Sequence, residues 1–74
     1  MSHIPPLSGQ EMVGLLGRLG FVPTRQHGSH LVLRQPQAPF RRLTVPLHPE
    51  LARGTMAAIA REAGLDLTRL AELA

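Results

Sequence analysis

The stretch Q-H-G-S-H-L-V-L-R, residues 26–34, decides how the chain is read. It sets Gly28 and Ser29 between two imidazoles and runs on into a segment rich in β-formers. Glycine at the second position of a two-residue loop suits a type I′ hairpin, so the spacing predicts a turn at His27-Gly28. The flanking strands are then "FVPTRQ" (21–26) and "SHLVLR" (29–34). A further run, "RRLTVP" (41–46), follows the proline-rich loop "QPQAPF" (35–40) and completes three antiparallel strands.

Side chains alternate across a strand, so choosing the buried face places everything else. Leu31, Leu33, Leu43 and Val45 must face the core, because the opposite choice would bury His30, Arg34, Arg42 and Thr44. His30 is thereby sent to the open face. A His27-Gly28 loop sets Arg25 opposite His30, with Thr24 and Val22 on the core side against Leu31 and Leu33. Pairing Leu33 with Leu43 and Leu31 with Val45 brings Arg34 opposite Arg42, and like charges directly across a ladder repel. The open face thus collects Arg25, His30, Arg34 and Arg42, a positive cluster that a phosphate backbone would relieve.

Helices flank the sheet. Ser8 and Glu11 form an S-x-x-E capping box, Leu7 and Met12 the matching hydrophobic staple, and Met12, Leu15, Leu16 and Leu19 an apolar stripe that Gly20 stops. Downstream, "LHPELARG" reads as a connection. A second helix is expected from near Thr55, with Met56, Ile59, Ala60 and Ala63 at helical spacing until Gly64, and Ala57 and Ala58 leave its first turn without a cation. Asp66 caps a short last helix, with Leu65 and Leu70 as its staple. The order is α-β-β-β-α-α, in one domain over residues 8–74 behind a flexible leader, residues 1–7, that includes His3.

Composition narrows the chemistry. A 74-residue chain has room for one core and one surface site. There is no Cys, which removes disulfides, thiolate nucleophiles and Cys-based zinc sites and suits a reducing cytoplasm. No stretch approaches the roughly 20 apolar residues that span a bilayer. The net charge is +3 and all eight basic residues are Arg. Guanidinium suits planar anion recognition, although a genome that favours Arg codons produces the same bias.

His27 and His30 make an H-x-x-H pair, but no carboxylate lies near it in sequence, so no metal or other cofactor is expected. Ser29 beside His30 does not make a hydrolase pair, since neighbours on a strand point to opposite faces. Glu11, Glu50, Glu62, Asp66 and Glu72 are dispersed and give no paired-carboxylate chemistry. An imidazole among arginines has another use. In its neutral form it can take the proton of a ribose 2′-OH, which then attacks the adjacent phosphorus while Arg stabilises the phosphoryl oxygens.

An ordered set of motifs carries a family resemblance: Gly20-Phe21 at a helix end, Gly28-Ser29-His30 at a hairpin, Val45-Pro46 with His48, Gly54-Thr55, and Ala63-Gly64-Leu65. Over roughly residues 8–74 the chain resembles the HicA toxins, small RNA-cleaving partners of HicB antitoxins. The resemblance implies an α+β, double-stranded-RNA-binding-domain-like fold with the helices on one face of the three-stranded antiparallel sheet. It also implies a cytoplasmic endoribonuclease that cleaves mRNA and is neutralised by a HicB-like antitoxin. The catalytic histidine of the family maps onto His30. Arg25, Gly28, Ser29, Arg34, Arg41, Arg42 and His48 make up the expected RNA-contacting set. A non-catalytic RNA-binding or protein-interaction module on the same fold is the alternative, and RNA cleavage separates the two.

Overall fold

The computed structural model describes residues 5–74; His3 and the start of the expected leader lie outside the described residues. Three helices and one sheet follow in the order α1 (Gly9–Gly17), β1 (Val22–His27), β2 (His30–Arg34), β3 (Arg42–Pro46), α2 (Arg53–Glu62), α3 (Leu67–Leu73). The sheet is antiparallel with β2 at its centre. This is the α+β, double-stranded-RNA-binding-domain-like arrangement.

Local chemistry accounts for each helix boundary. Ser8 Oγ accepts from the Glu11 N–H at 3.0 Å while the Ser8 N–H donates to Glu11 Oε1 at 2.8 Å, a complete capping box. Both longer helices end in a Schellman motif: the Phe21 N–H donates back to the Leu16 carbonyl and that of Leu65 to the Ala60 carbonyl. The left-handed residues that permit this are Gly20 and Gly64. Asp66 caps α3 through a 2.8 Å bond from the Arg69 N–H. α2 begins at Arg53, two residues before the expected start. Ala52 can take the extended N-cap conformation without a side-chain bond, so Gly54-Thr55 join the first turn, and Arg53 gives that turn the cation that Ala57 and Ala58 do not supply.

The core lies between the sheet and the helices. Met12, Leu15 and Leu16 of α1 and Met56, Ile59 and Ala60 of α2 are buried with Leu33, Leu43, Val45, Phe21, Leu51 and Leu70. Both α1 and α2 pack on β3, and α3 packs on α2. Leu7 is buried too, and its carbonyl accepts from the Leu51 N–H at 2.7 Å, which ties the segment before α1 to the one before α2. At the far end Arg18 Nη2 donates to the Leu73 carbonyl at 2.8 Å, linking α1 to α3.

One close approach fixes α1 against the sheet. The Gly9 N–H donates to the His48 carbonyl at 2.9 Å. A Cβ on Gly9 would fall against the Pro46 carbonyl oxygen and 2.7 Å from Leu47 Cα. Only glycine leaves room there for the backbone that follows β3.

The β2–β3 register is the expected one: Leu33 opposite Leu43, Leu31 opposite Val45, Arg34 opposite Arg42. The β1–β2 register is not. His27 stands opposite His30, Gln26 opposite Leu31 and Arg25 opposite Val32, so the turn is Gly28-Ser29 rather than His27-Gly28. Gly28 has φ +58° and Ser29 no positive φ, which is the pattern of a type II′ turn, with glycine at its first central position. Thr24 and Val22 do not pair with Leu31 and Leu33 on the core side. A bulge between Pro23 and Arg25 shifts the ladder and leaves Val22 opposite Arg34 and 43% exposed. No helix among the described residues is long and apolar enough to cross a membrane.

Candidate functional site

The face of the sheet turned away from the helices carries His27 and Arg25 from β1, His30, Val32 and Arg34 from β2, and Arg42, Thr44 and Pro46 from β3. Its two ends differ in chemistry. At the hairpin end His27 stands directly across from His30, where opposed Cβ atoms lie about 4.5–5.5 Å apart. On its other side His30 pairs with Pro46, and the pleat continues two residues further to His48. The Leu47 N–H donates to the Ser29 carbonyl at 2.6 Å, which holds that extension beside the turn. The His30 and His48 rings meet edge to face with centroids 6.4 Å apart. All three imidazoles are exposed.

Arginine fills the opposite end. Arg34 faces Arg42 directly, and Arg25, opposite Val32, stands diagonally between that pair and His30. With Thr24 and Phe40 these three arginines line a recess of about 360 Å³. The one ion pair among the described residues joins Arg69 to Glu72, so none of the three guanidinium groups meets a carboxylate. At about 3.3 Å per residue, Arg34 lies roughly 13 Å along β2 from His30.

The remaining expected residues are placed as follows. Gly28 and Ser29 form the turn beside the three imidazoles, so Ser29 is a turn residue and not the first residue of a strand. Arg41 does not join the open face. Its Cζ lies 2.9 Å from where a Cβ on Gly64 would stand, at the C-terminal end of α2, where a cation complements the helix dipole. Arg25 shares a face with His30 but is not its cross-strand partner; His27 is. Among the described residues no three His, Asp or Glu side chains converge as a metal site would require.

Two features escape a reading of strand periodicity. His48 follows Pro46 in a stretch that looks like loop, yet extending the alternation of β3 by two residues puts it on the open face. Phe40, in the loop before β3, is 64% exposed and closes the recess.

A scan of protein-family models matches residues 9–65 to the family described as HicA toxin of bacterial toxin-antitoxin. The chain belongs to the HicA toxin family. No curated protein and no solved structure matches it. The matched span runs from the first residue of α1 to Leu65 and contains the whole open face, leaving only α3 beyond it. A HicA toxin is the toxin half of a toxin–antitoxin pair, which makes an antitoxin the counterpart of this chain.

Proposed function

We propose that this HicA-family protein is a metal-independent endoribonuclease that cleaves mRNA, with His30 as general base, and that a HicB-like antitoxin neutralises it by covering the histidine end of the sheet. The observation that carries the reading is the exposed His30 ring with the His48 ring edge-on at 6.4 Å. That separation is too long for a hydrogen bond between the rings, so neither ring occupies the other's nitrogens and both stay open to a phosphodiester on the solvent side.

The chemistry follows from the placement. A ring nitrogen of His30 takes the 2′-OH proton, and the freed oxygen forms a bond to the adjacent phosphorus. The bond from phosphorus to the 5′-oxygen breaks, and that oxygen takes a proton from His48 in its imidazolium form. The products are a 2′,3′-cyclic phosphate and a 5′-hydroxyl. Arg25, diagonal to His30, offsets charge on the phosphoryl oxygens, while Gly28 and Ser29 let the RNA backbone come close at the turn. Arg34 and Arg42 hold phosphates farther along the strand. Arg41, packed on Gly64, is set apart from this path. DNA lacks the 2′-hydroxyl and is not a substrate.

Purified protein incubated with RNA in EDTA tests the reading. Wild type cleaves, leaving cyclic phosphate ends, and His30→Ala lowers the rate by about 10²- to 10⁴-fold, the usual worth of a general base. The melting temperature stays the same because the ring is exposed. Equal cleavage by both proteins removes His30 from the mechanism, and no cleavage by wild type leaves a binding module. The antitoxin part is tested separately: the product of the adjacent reading frame should co-purify with the chain and block cleavage, and a neighbour that does not bind refutes it.

A further inference from the structure

The recess at the arginine end of the sheet has features that cleavage at His30 does not use. Val32, at the centre of the open face between Arg25 and Thr44, lies outside the helix-side core cluster yet is only 8% exposed. The walls of the recess are Thr24, Arg25, Arg34, Arg42 and Phe40. Thr24 sits in the bulge and donates through Oγ1 to the Val32 carbonyl at 3.2 Å. Three guanidinium groups without carboxylate partners converge there, two of them directly opposed.

Phe40 is held in place although it is exposed. Its N–H donates to the Gln37 carbonyl at 2.8 Å, and its φ is +60°, a conformation that a bulky side chain adopts only when its surroundings impose it. Gln35 closes the base of the loop: its N–H donates to the Arg41 carbonyl at 2.9 Å, its Oε1 accepts from the Arg41 N–H, and its Nε2 donates to the Leu19 carbonyl. An aromatic ring kept in solvent beside unpaired guanidinium groups matches the two halves of a nucleotide. The ring offers a stacking surface to a base, and the planar forks suit a phosphate.

We propose that this recess is a nucleotide subsite: one unpaired base of single-stranded RNA stacks on Phe40 while Arg34 and Arg42 grip its phosphate. The proposal rests on the ribonuclease reading for its ligand and adds where the strand is held beyond the scissile bond. Because Arg34 lies roughly 13 Å from His30 along β2, the bound nucleotide is near the cleaved linkage without being part of it. A base paired within a duplex has its faces covered by neighbours and could not enter, so the subsite selects single-stranded substrate.

The test uses His30→Ala as a non-cleaving background and fluorescence anisotropy with a labelled single-stranded oligoribonucleotide and its duplex. Adding Phe40→Ala should weaken single-strand binding by about 5- to 150-fold, the range for loss of one base–aromatic stack. Phe40→Trp should restore it, and duplex binding should barely change. Single-strand affinity within twofold of the background after Phe40→Ala overturns the subsite. So does a Phe40→Ala variant that binds RNA normally but no longer captures the antitoxin, since the face would then serve the protein partner. In otherwise wild-type protein the substitution should raise KM and leave kcat in place. If wild type does not cleave RNA but the binding results hold, the ribonuclease reading fails and the subsite stands.

Discussion

Replacing Gly9 by Ala tests the packing that carries His48. In most helices this change stabilises, because alanine is favoured over glycine by about 1 kcal/mol. At Gly9 the new methyl would enter the backbone of Pro46 and Leu47, 2.7 Å from the Leu47 Cα. Neither neighbour is a side chain that can rotate away, so the strand exit or α1 must move. Overpacking of this kind costs about 1–3 kcal/mol, and the Gly9 bond to the His48 carbonyl, worth about 1 kcal/mol, is stretched or lost. Set against the helix preference, the net loss is about 1–3 kcal/mol, a large share of the roughly 4–11 kcal/mol expected for a chain of this length. Thermal unfolding should show a Tm at least about 5 °C lower. Gly14→Ala provides the internal control, since nothing lies within 4 Å of a Cβ at that position, and it should raise stability by up to about 1 kcal/mol. The two identical chemical changes, five residues apart in one helix, should therefore act with opposite sign. A Gly9→Ala protein as stable as wild type would refute the close approach and, with it, the anchoring of His48 beside His30.

Other expectations follow from the same geometry. Ser8→Ala removes half of the capping box and should cost about 1 kcal/mol in urea unfolding, with Glu11→Ala giving a smaller, non-additive loss because the two bonds are reciprocal. If His48 supplies the leaving-group proton, His48→Ala should slow cleavage by about 10²- to 10⁴-fold in a protein of unchanged melting temperature. An unchanged rate would remove His48 from the reaction.

The parts of the fold that could be read from letters are those where burial forces a choice. Leu31 and Leu33 alternate with His30 and Arg34, and Leu43 and Val45 alternate with Arg42 and Thr44, so only one β2–β3 register buries four apolar residues together. Four helix ends were legible because Ser8, Asp66, Gly20 and Gly64 each answer an unsatisfied backbone group, whereas the start of α2 at Arg53 follows an Ala52 that carries no capping side chain. β1 lacked such a constraint. All six of its residues are exposed, so no burial preference distinguishes one register from the next, and the choice fell to the turn. There His-Gly and Gly-Ser are both acceptable pairs, and glycine first is the one adopted. A bulge cannot be read from periodicity, since it is a departure from it. The candidate site was legible in the same measure: His30, Arg34 and Arg42 followed from the well-determined ladder, whereas His27 depended on the turn, His48 on a strand running past a proline, and Phe40 on a loop conformation that no repeat encodes.

The extra residue in β1 has a consequence for how this chain can tolerate change in length. Val22 and Arg25 both keep their cross-strand partners because Thr24 occupies a place with no counterpart on β2. Excising Thr24 would leave Val22 with Arg34 and Arg25 with Val32, and would disturb neither end of the hairpin. Homologous chains could therefore gain or lose one amino acid at this point while the imidazoles stay in place; only the curvature of the sheet, and the depth of the hollow beneath Phe40, would register the difference.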